Sequence, residues 1–227
     1  MIKNIEFYDD TFTLDEKRIE EFCKRYPVEI GIPFNINIRV NAVNIEMFKG
    51  LKQAGCVRVS IGIESGDEYI RNDILKRGMT NQQIIDTFKA AKDAGLKTYS
   101  FNMVGIPFET KESIQKTINL NRECFPDFVG VSIFNAFKGT EIYDICKKND
   151  WLKETYSKSY FRDSNINHPN FTIRELIRIR NNFGFNVFMN HKPLRAFVDL
   201  ADRNLSQLNS YIFIRSKLIK KMNLLKK

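Results

Sequence analysis

Apolar positions along this chain fall into two alternating patterns. Short, nearly continuous apolar runs occur at residues 5–8, 34–39, 57–63, 98–104 and 128–134. Runs of this length and continuity predict parallel strands covered on both faces. Between them the apolar spacing is three and four. It is carried by Ile19, Phe22 and Cys23, then by Met47, Phe48 and Leu51. Ile84, Ile85, Phe88, Ala91 and Lys92 follow, then Ile114, Ile118 and Asn121. That spacing lines one face of a helix. Helix starts are expected at the pairs Thr13/Glu16, Ser65/Glu68, Thr80/Gln83 and Thr172/Glu175, where side chains can satisfy the first free backbone N–H groups reciprocally. Ala54-Gly55 and Ala94-Gly95 suit left-handed helix ends. Strand–helix alternation with short connections predicts right-handed βαβ units and a parallel sheet of five strands.

The pattern changes after Trp151. Residues 153–170 are polar and aromatic, and Asn167-His168-Pro169-Asn170 reads as a turn. A helix is predicted over 172–189, with Leu176, Ile179, Phe183 and Val187 on one face, broken at Lys192-Pro193. Basic amphipathic helix follows, its apolar stripe formed by Leu205, Leu208, Ile212, Leu218, Met222 and Leu225. The expected organisation is an α/β domain over 1–150 and a helical extension over 151–227.

Composition sharpens this picture in three ways. Hydrophobic residues make up 43% of the 227, enough for a packed core. The net charge of +9 is uneven: residues 192–227 carry nine Lys/Arg against two Asp, so the preceding part is near neutral. Basic character therefore belongs to the tail, where a solvated amphipathic face is expected rather than a nucleic-acid partner. There is no run of 18 apolar residues, and the N-terminal MIKNIEFYDD lacks the apolar stretch of a signal peptide. A cytoplasmic location is expected. Cys23, Cys56, Cys124 and Cys146 have no CxxC or CxxxCxxC spacing and read as reduced, structural thiols. His168 and His191 lack metal-ligand spacing and are expected at the surface or in caps.

In parallel α/β folds ligands bind where strands end and helices begin. The expected strand ends are Asp9-Asp10-Thr11, Arg39, Gly62-Ile63-Glu64-Ser65-Gly66, Gly105-Ile106-Pro107-Phe108-Glu109-Thr110 and Phe137-Lys138-Gly139-Thr140. Carboxylates, an arginine and bare backbone thus meet on one rim. They suit a zwitterionic ligand with hydroxyl groups, because carboxylates accept from ammonium and hydroxyl, and a guanidinium grips a carboxylate by two parallel bonds. Structural alternatives exist for each. Asp9 and Asp10 could cap a turn, Ser65 a helix, Arg39 could pair with Glu64, and Gly105-Ile106-Pro107 could be a tight turn before a helix capped by Thr110. No glycine-rich GxGxxG follows a strand, so a dinucleotide fold is not supported.

The segments IEFYDDTFT, NINIRVN, LKQAGCVRVSIGIESGDEYI, LKRGMT, AKDAGLKTYSFNMVGIPFETKESIQKTI and FKGTEIY resemble radical S-adenosylmethionine (SAM) enzymes, in the branch that often carries an N-terminal cobalamin-binding domain. The resemblance covers about residues 5–145 and implies a partial (β/α)6 TIM-like barrel with SAM at its upper rim. By position it places Asp9 and Asp10 near the SAM amino group, Arg39 near the carboxylate and Glu64 and Ser65 near the ribose. Gly105 and Pro107 lie by the adenine, and Gly139 and Thr140 in the last rim loop. It implies SAM and a [4Fe–4S] cluster as cofactors, cobalamin as a further one, an electron donor and a small-molecule substrate. The family's CxxxCxxC lies upstream of the segment matching Asp9-Asp10, and here eight residues precede Asp9. The expectation is therefore a barrel lacking its first strand, with cluster ligands outside this chain, inactive alone as a fragment, late-start product or decayed copy. A non-catalytic SAM-binding remnant is the alternative. A hydrolase or isomerase using Asp9, Asp10 and Glu64 is disfavoured, since no histidine occurs before His168.

Overall fold

Five parallel strands form one sheet in chain order, β1 (Ile5–Glu6), β2 (Phe34–Ile38), β3 (Cys56–Glu64), β4 (Lys97–Val104) and β5 (Phe128–Ile133). The computed structural model describes residues 2–154 and 159–205. Helices α1 (Glu16–Glu29), α2 (Ile45–Gln53), α3 (Asn81–Asp93) and α4 (Lys111–Cys124) make the four crossovers, and α5 (Glu141–Lys148) follows β5. The sheet curls into the expected half-barrel. Two helices end the described chain, α6 (Ile173–Phe188) and α7 (Pro193–Leu205). Pro193 opens α7, where its missing N–H costs nothing. The expected stripe residues Leu208, Ile212, Leu218, Met222 and Leu225 lie outside the described residues.

One face of the sheet carries the main core. Phe34, Ile36 and Ile38 of β2 and Val59, Ile61 and Ile63 of β3 pack with Phe48, Leu51, Ile84, Phe88 and Leu120 from the helices. The other face is less covered than the apolar runs suggested. Along β4 the buried residues Thr98, Ser100, Asn102 and Val104 alternate with Tyr99, Phe101 and Met103, and Phe101 remains 42% exposed. This is the alternation of a sheet with helices on one side only, because curling turns the second face into a concave wall.

Two expected helix starts fall elsewhere. Asp15 rather than Thr13 caps α1, its carboxylate accepting the Arg18 N–H at 3.1 Å. No α-helix starts at Ser65; a π-helical turn spans Tyr69–Ile74, and Asp67 accepts the N–H groups of Tyr69 and Ile70. In both cases an Asp close to the turn competes with the hydroxyl, and a carboxylate is the stronger acceptor. The boxes Thr80/Gln83 and Thr172/Glu175 form as expected.

Contacts divide the chain into Met1–Arg180 and Asn181–Lys227, with the boundary inside α6. Within the second unit α6 and α7 meet at Gly184, where any side chain would collide with the Asp199 carboxylate. Asp199 in turn accepts from Arg203 at 2.7 Å. No described helix is long and apolar enough to cross a membrane.

The tightest backbone approach in the first unit is at Gly66, directly after β3. A methyl group there would overlap the Lys116 carbonyl of α4, and the Gly66 N–H donates to Thr117 Oγ1 at 2.8 Å. Backbone cannot swing aside as a side chain can. Gly66→Ala is therefore expected to cost about 3 kcal/mol, read as a fall in the denaturant midpoint.

Candidate functional site

The C-terminal ends of the strands form a rim built in layers. After β1 the chain turns through a nest of rings. Phe7 contacts Phe12, Phe22, Tyr26 and Phe34 with centroids 5.0–6.3 Å apart. This apolar anchor leaves Asp9 and Asp10 exposed at the top of the loop. Asn37 donates to the Asp9 carbonyl at 3.3 Å, and Arg18 lies 3.7 Å from the Asp9 carboxylate.

Arg39 follows β2 and is exposed. It does not pair with Glu64, the structural alternative raised by the sequence. Its guanidinium donates to the Arg77 carbonyl at 2.8 Å, and Arg77 takes the ion-pair position instead, 3.6 Å from Glu64. Glu64 closes β3 with φ 62°, at a register shift against β4, and points its side chain inward. Burial raises its carboxyl above the usual range, and Arg77 partly offsets the effect. The Arg77 Nε is buried without a partner. Ser65 is fully buried, and its hydroxyl accepts the Asp67 N–H at 3.2 Å.

A residue that sequence reasoning did not single out holds this corner. Arg71 has no exposed surface. Its guanidinium donates to the carbonyls of Met79 and Ser65, to Asn81 and to Glu68 over 2.8–3.3 Å. Only the full folded loop reveals this, since an arginine in a polar stretch reads as a surface residue.

The fourth rim segment is a tight turn. The Glu109 N–H donates to the Ile106 carbonyl at 2.9 Å across Pro107 and Phe108. Pro107 suits the second position of a type II turn, but Phe108 stands where glycine is favoured, with φ 67°. A left-handed conformation costs a residue with a side chain about 1–2 kcal/mol. Gly105 precedes it with φ 78°, and its α-carbon lies against Leu176. Glu109 is fully buried and accepts the N–H groups of Gly105 and Ile106 at 2.6 and 3.4 Å, while its second oxygen has no partner. Burial outweighs those two hydrogen bonds and pushes its carboxyl up to about 8.

His168 also corrects the expectation. It is buried, with Nε2 2.8 Å from the Ile106 carbonyl, while Nδ1 accepts the Asn170 N–H at 3.1 Å. These partners assign the proton to Nε2, and burial holds the imidazole below its usual value. Gly139 and Thr140 are exposed; Gly139 has φ 87° with open space at its α-carbon, and Thr140 caps α5. Lys76, after β3, lies 3.5 Å from Glu141 of α5 in a solvent-exposed ion pair.

The structure thus brings Arg39, Arg77 and Glu64 together, sets Asp9 beside Asn37, and gathers Gly105, Pro107 and Glu109 in one turn. The donor set fits a zwitterionic nucleoside. It offers exposed carboxylates, inward-pointing Glu64 and two backbone turns in the left-handed region. The thiols do not fit an iron–sulfur cluster. Cys56, Cys124 and Cys146 are buried and pushed up to about 12, about 12 and about 11, and burial raises Cys23 as well. No group of three His, Cys, Asp or Glu among the described residues could hold a metal ion.

Residues 2–120 match the sequence model of the radical SAM superfamily. This chain belongs to that superfamily. An uncharacterized methyltransferase from Pyrococcus horikoshii is 36% identical over 66% of this radical SAM chain and 33% of its own length. The anaerobic magnesium-protoporphyrin IX monomethyl ester cyclase of Rubrivivax gelatinosus is 24% identical over 60% of the chain and 25% of its own length. The chain thus spans about a third or less of these relatives. The half-barrel superposes on the radical SAM methyltransferase TsrM of Kitasatospora setae, solved with cobalamin and a [4Fe–4S] cluster, with a TM-score of 0.56. That match has 18% identity and covers 68% of this chain and 32% of that one. Methylornithine synthase gives a TM-score of 0.55 at 15% identity, covering 88% and 55%.

Two outcomes follow. Glu109 is an acid whose folded value lies above its unfolded one, so its stabilising contribution is full below pH 4.5 and is lost as pH rises through about 8. Unfolding free energy should fall by a few kcal/mol across that window, and the slope should flatten in Glu109→Gln, as measured by denaturation at stepped pH. Anaerobic reconstitution of this chain with iron and sulfide should yield well under one [4Fe–4S] centre per chain by absorbance and iron content.

Proposed function

We propose that this chain forms the SAM-binding half of a radical SAM enzyme, with residues 1–150 as the partial barrel and 151–227 as its C-terminal extension. The observation that carries the reading is the rim itself. Five successive strand ends present the same order of groups that the resemblance assigns to SAM. Asp9 and Asp10 accept hydrogen bonds from the ammonium. Arg39 has donors left for the carboxylate after its one bond to the Arg77 carbonyl. Glu64, its carboxyl raised by burial and partly offset by Arg77, meets the ribose hydroxyls. Ser65 is fully buried with its hydroxyl and both backbone groups engaged, so its part is to shape the β3 exit rather than to touch the ligand. Gly105 and Pro107 line the adenine, and Gly139 and Thr140 close the last loop.

When bound together, SAM and a reduced [4Fe–4S] cluster supply a 5′-deoxyadenosyl radical. No residue of this chain is assigned to the cluster, and none to cobalamin, which would be a further cofactor of the kind present in the Kitasatospora structure. The chain's own part is to bind, orient and exclude water. The substrate is a small molecule and the electron comes from a separate donor. The buried, high thiols also support a second reading, a SAM-binding protein without cluster chemistry.

Isothermal titration of the purified chain with SAM tests the common core of both. Saturable one-to-one binding is expected, weakened about tenfold in Asp10→Ala, consistent with the loss of one charge-assisted hydrogen bond of about 1.5 kcal/mol. Absence of binding in the unaltered chain would refute the assignment of the rim.

A further inference from the structure

The strained turn at the end of β4 is closed from within by Glu109 and braced by residues beyond those that match the superfamily. Phe108 keeps φ 67° without being glycine, and the residue three before it, Gly105, is also left-handed. Such conformations persist only where surrounding structure over-determines them. Four contacts do so here. The Trp151 ring meets the Phe108 ring edge to face at 5.2 Å. The His168 ring donates to the Ile106 carbonyl at 2.8 Å, and the Asn170 amide donates to the Glu109 carbonyl at 2.9 Å. Leu176 presses on the α-carbon of Gly105, where an added methyl would lie 2.7 Å from its Cδ1. All four residues follow position 120, the last one matched by the superfamily.

Of these contacts His168 is the most constrained. It is buried against the ring of Phe171 at 5.0 Å, and both of its nitrogens are used. The Ile106 carbonyl accepts twice, from the Glu109 N–H and from His168. The first bond closes the turn; the second fixes which way the closed turn faces. Loss of the imidazole would leave the Ile106 carbonyl held by the Glu109 N–H alone and loosen the 106–107 peptide against the rim while the β4 ladder stayed intact.

We propose that His168 is a positioning residue for the nucleoside half of the ligand. Through the Ile106 carbonyl it locks the Gly105–Glu109 backbone in the orientation that receives a flat base, so the extension after β5 sets the shape of the pocket floor. This rests on the reading of the rim as a SAM site. His168 makes no contact with the ligand in this account, so its effect should be confined to the base-facing part.

The test uses the full chain with two probes, SAM and 5′-methylthioadenosine, which lacks the amino-acid half. His168→Ala should weaken both by the same factor, about tenfold, whereas Asp10→Ala should weaken SAM alone. His168→Gln keeps an N–H donor of similar reach and should recover most of the affinity. In parallel, amide hydrogen exchange of His168→Ala should speed up at Gly105, Ile106 and Glu109 but not along residues 98–104. If His168→Ala lowers the melting temperature yet leaves both affinities and the exchange of this turn unchanged, the residue is merely structural and the proposal fails. If the unaltered chain binds neither probe, the SAM reading fails, and the exchange pattern still decides whether His168 orders the turn. Should the alanine variant not fold, the comparison is made on His168→Gln against His168→Leu, with Leu expected to lose binding and Gln to keep it.

Discussion

The guanidinium of Arg71 is the interaction on which the rest of the rim depends. A charge taken wholly out of water is tolerated only when every donor is satisfied, and a planar fork of five N–H groups can be satisfied only by acceptors at fixed directions. Here those acceptors are the carbonyls of Ser65 and Met79 and the side chains of Asn81 and Glu68. Three pieces of chain are thereby fixed to one point: the exit of β3, the loop before α3, and the start of α3 itself. Arg77 lies in the fixed loop, its N–H donating to the Arg71 carbonyl at 3.1 Å, and Arg77 is what meets Glu64 and receives Arg39. The electrostatic corner of the rim is thus a consequence of one buried cation.

The second support is geometric. Helix α4 comes so close to the end of β3 that only glycine fits at position 66, and a thread of buried polar side chains joins the two layers. Asn121 of α4 accepts from Ser100 and donates to Asn102, which reaches on to the Gly130 carbonyl of β5. Partnered polar groups in a core carry direction that apolar packing does not, because each bond tolerates only a narrow geometry. They set the register of α4 on the sheet, and α4 begins two residues after the strained turn. The turn is therefore gripped from both sides, by α4 along the chain and by Trp151, His168, Asn170 and Leu176 across it.

Much of this was legible in the sequence. The three-and-four spacing of Ile84, Phe88 and Ala91 and the box Thr80/Gln83 locate α3 unaided, because both depend only on neighbours in the chain. The order of the sheet follows from the short crossovers. Less legible were features decided by competition. Asp15 and Asp67 displaced Thr13 and Ser65 as caps, although all three residue types are acceptable there. Strand β4 looked covered on both sides because Phe101 and Met103 are apolar, yet they line the concave wall. On that wall Glu6 and Arg58 pair at 2.6 Å, and Arg58 lies over the Tyr99 ring, an arrangement spread across three strands.

By itself the sequence determined the parallel α/β architecture and placed Asp9, Asp10, Arg39, Glu64 and Gly105 at or just beyond the strand ends, although β1 stops at Glu6 rather than running to residue 8. These are local matters: periodicity, turn chemistry and the rule that loops at one end of such a sheet carry the chemistry. Tertiary structure alone decided which charges met. Arg77, not Arg39, faces Glu64; Arg71 vanishes into the interior; and His168, sixty-two residues further along, closes on the Ile106 carbonyl. The physical reason is that burial and partner choice depend on distances between segments remote in the chain. Those distances are set by the packing of helices on the sheet, which no window of sequence contains.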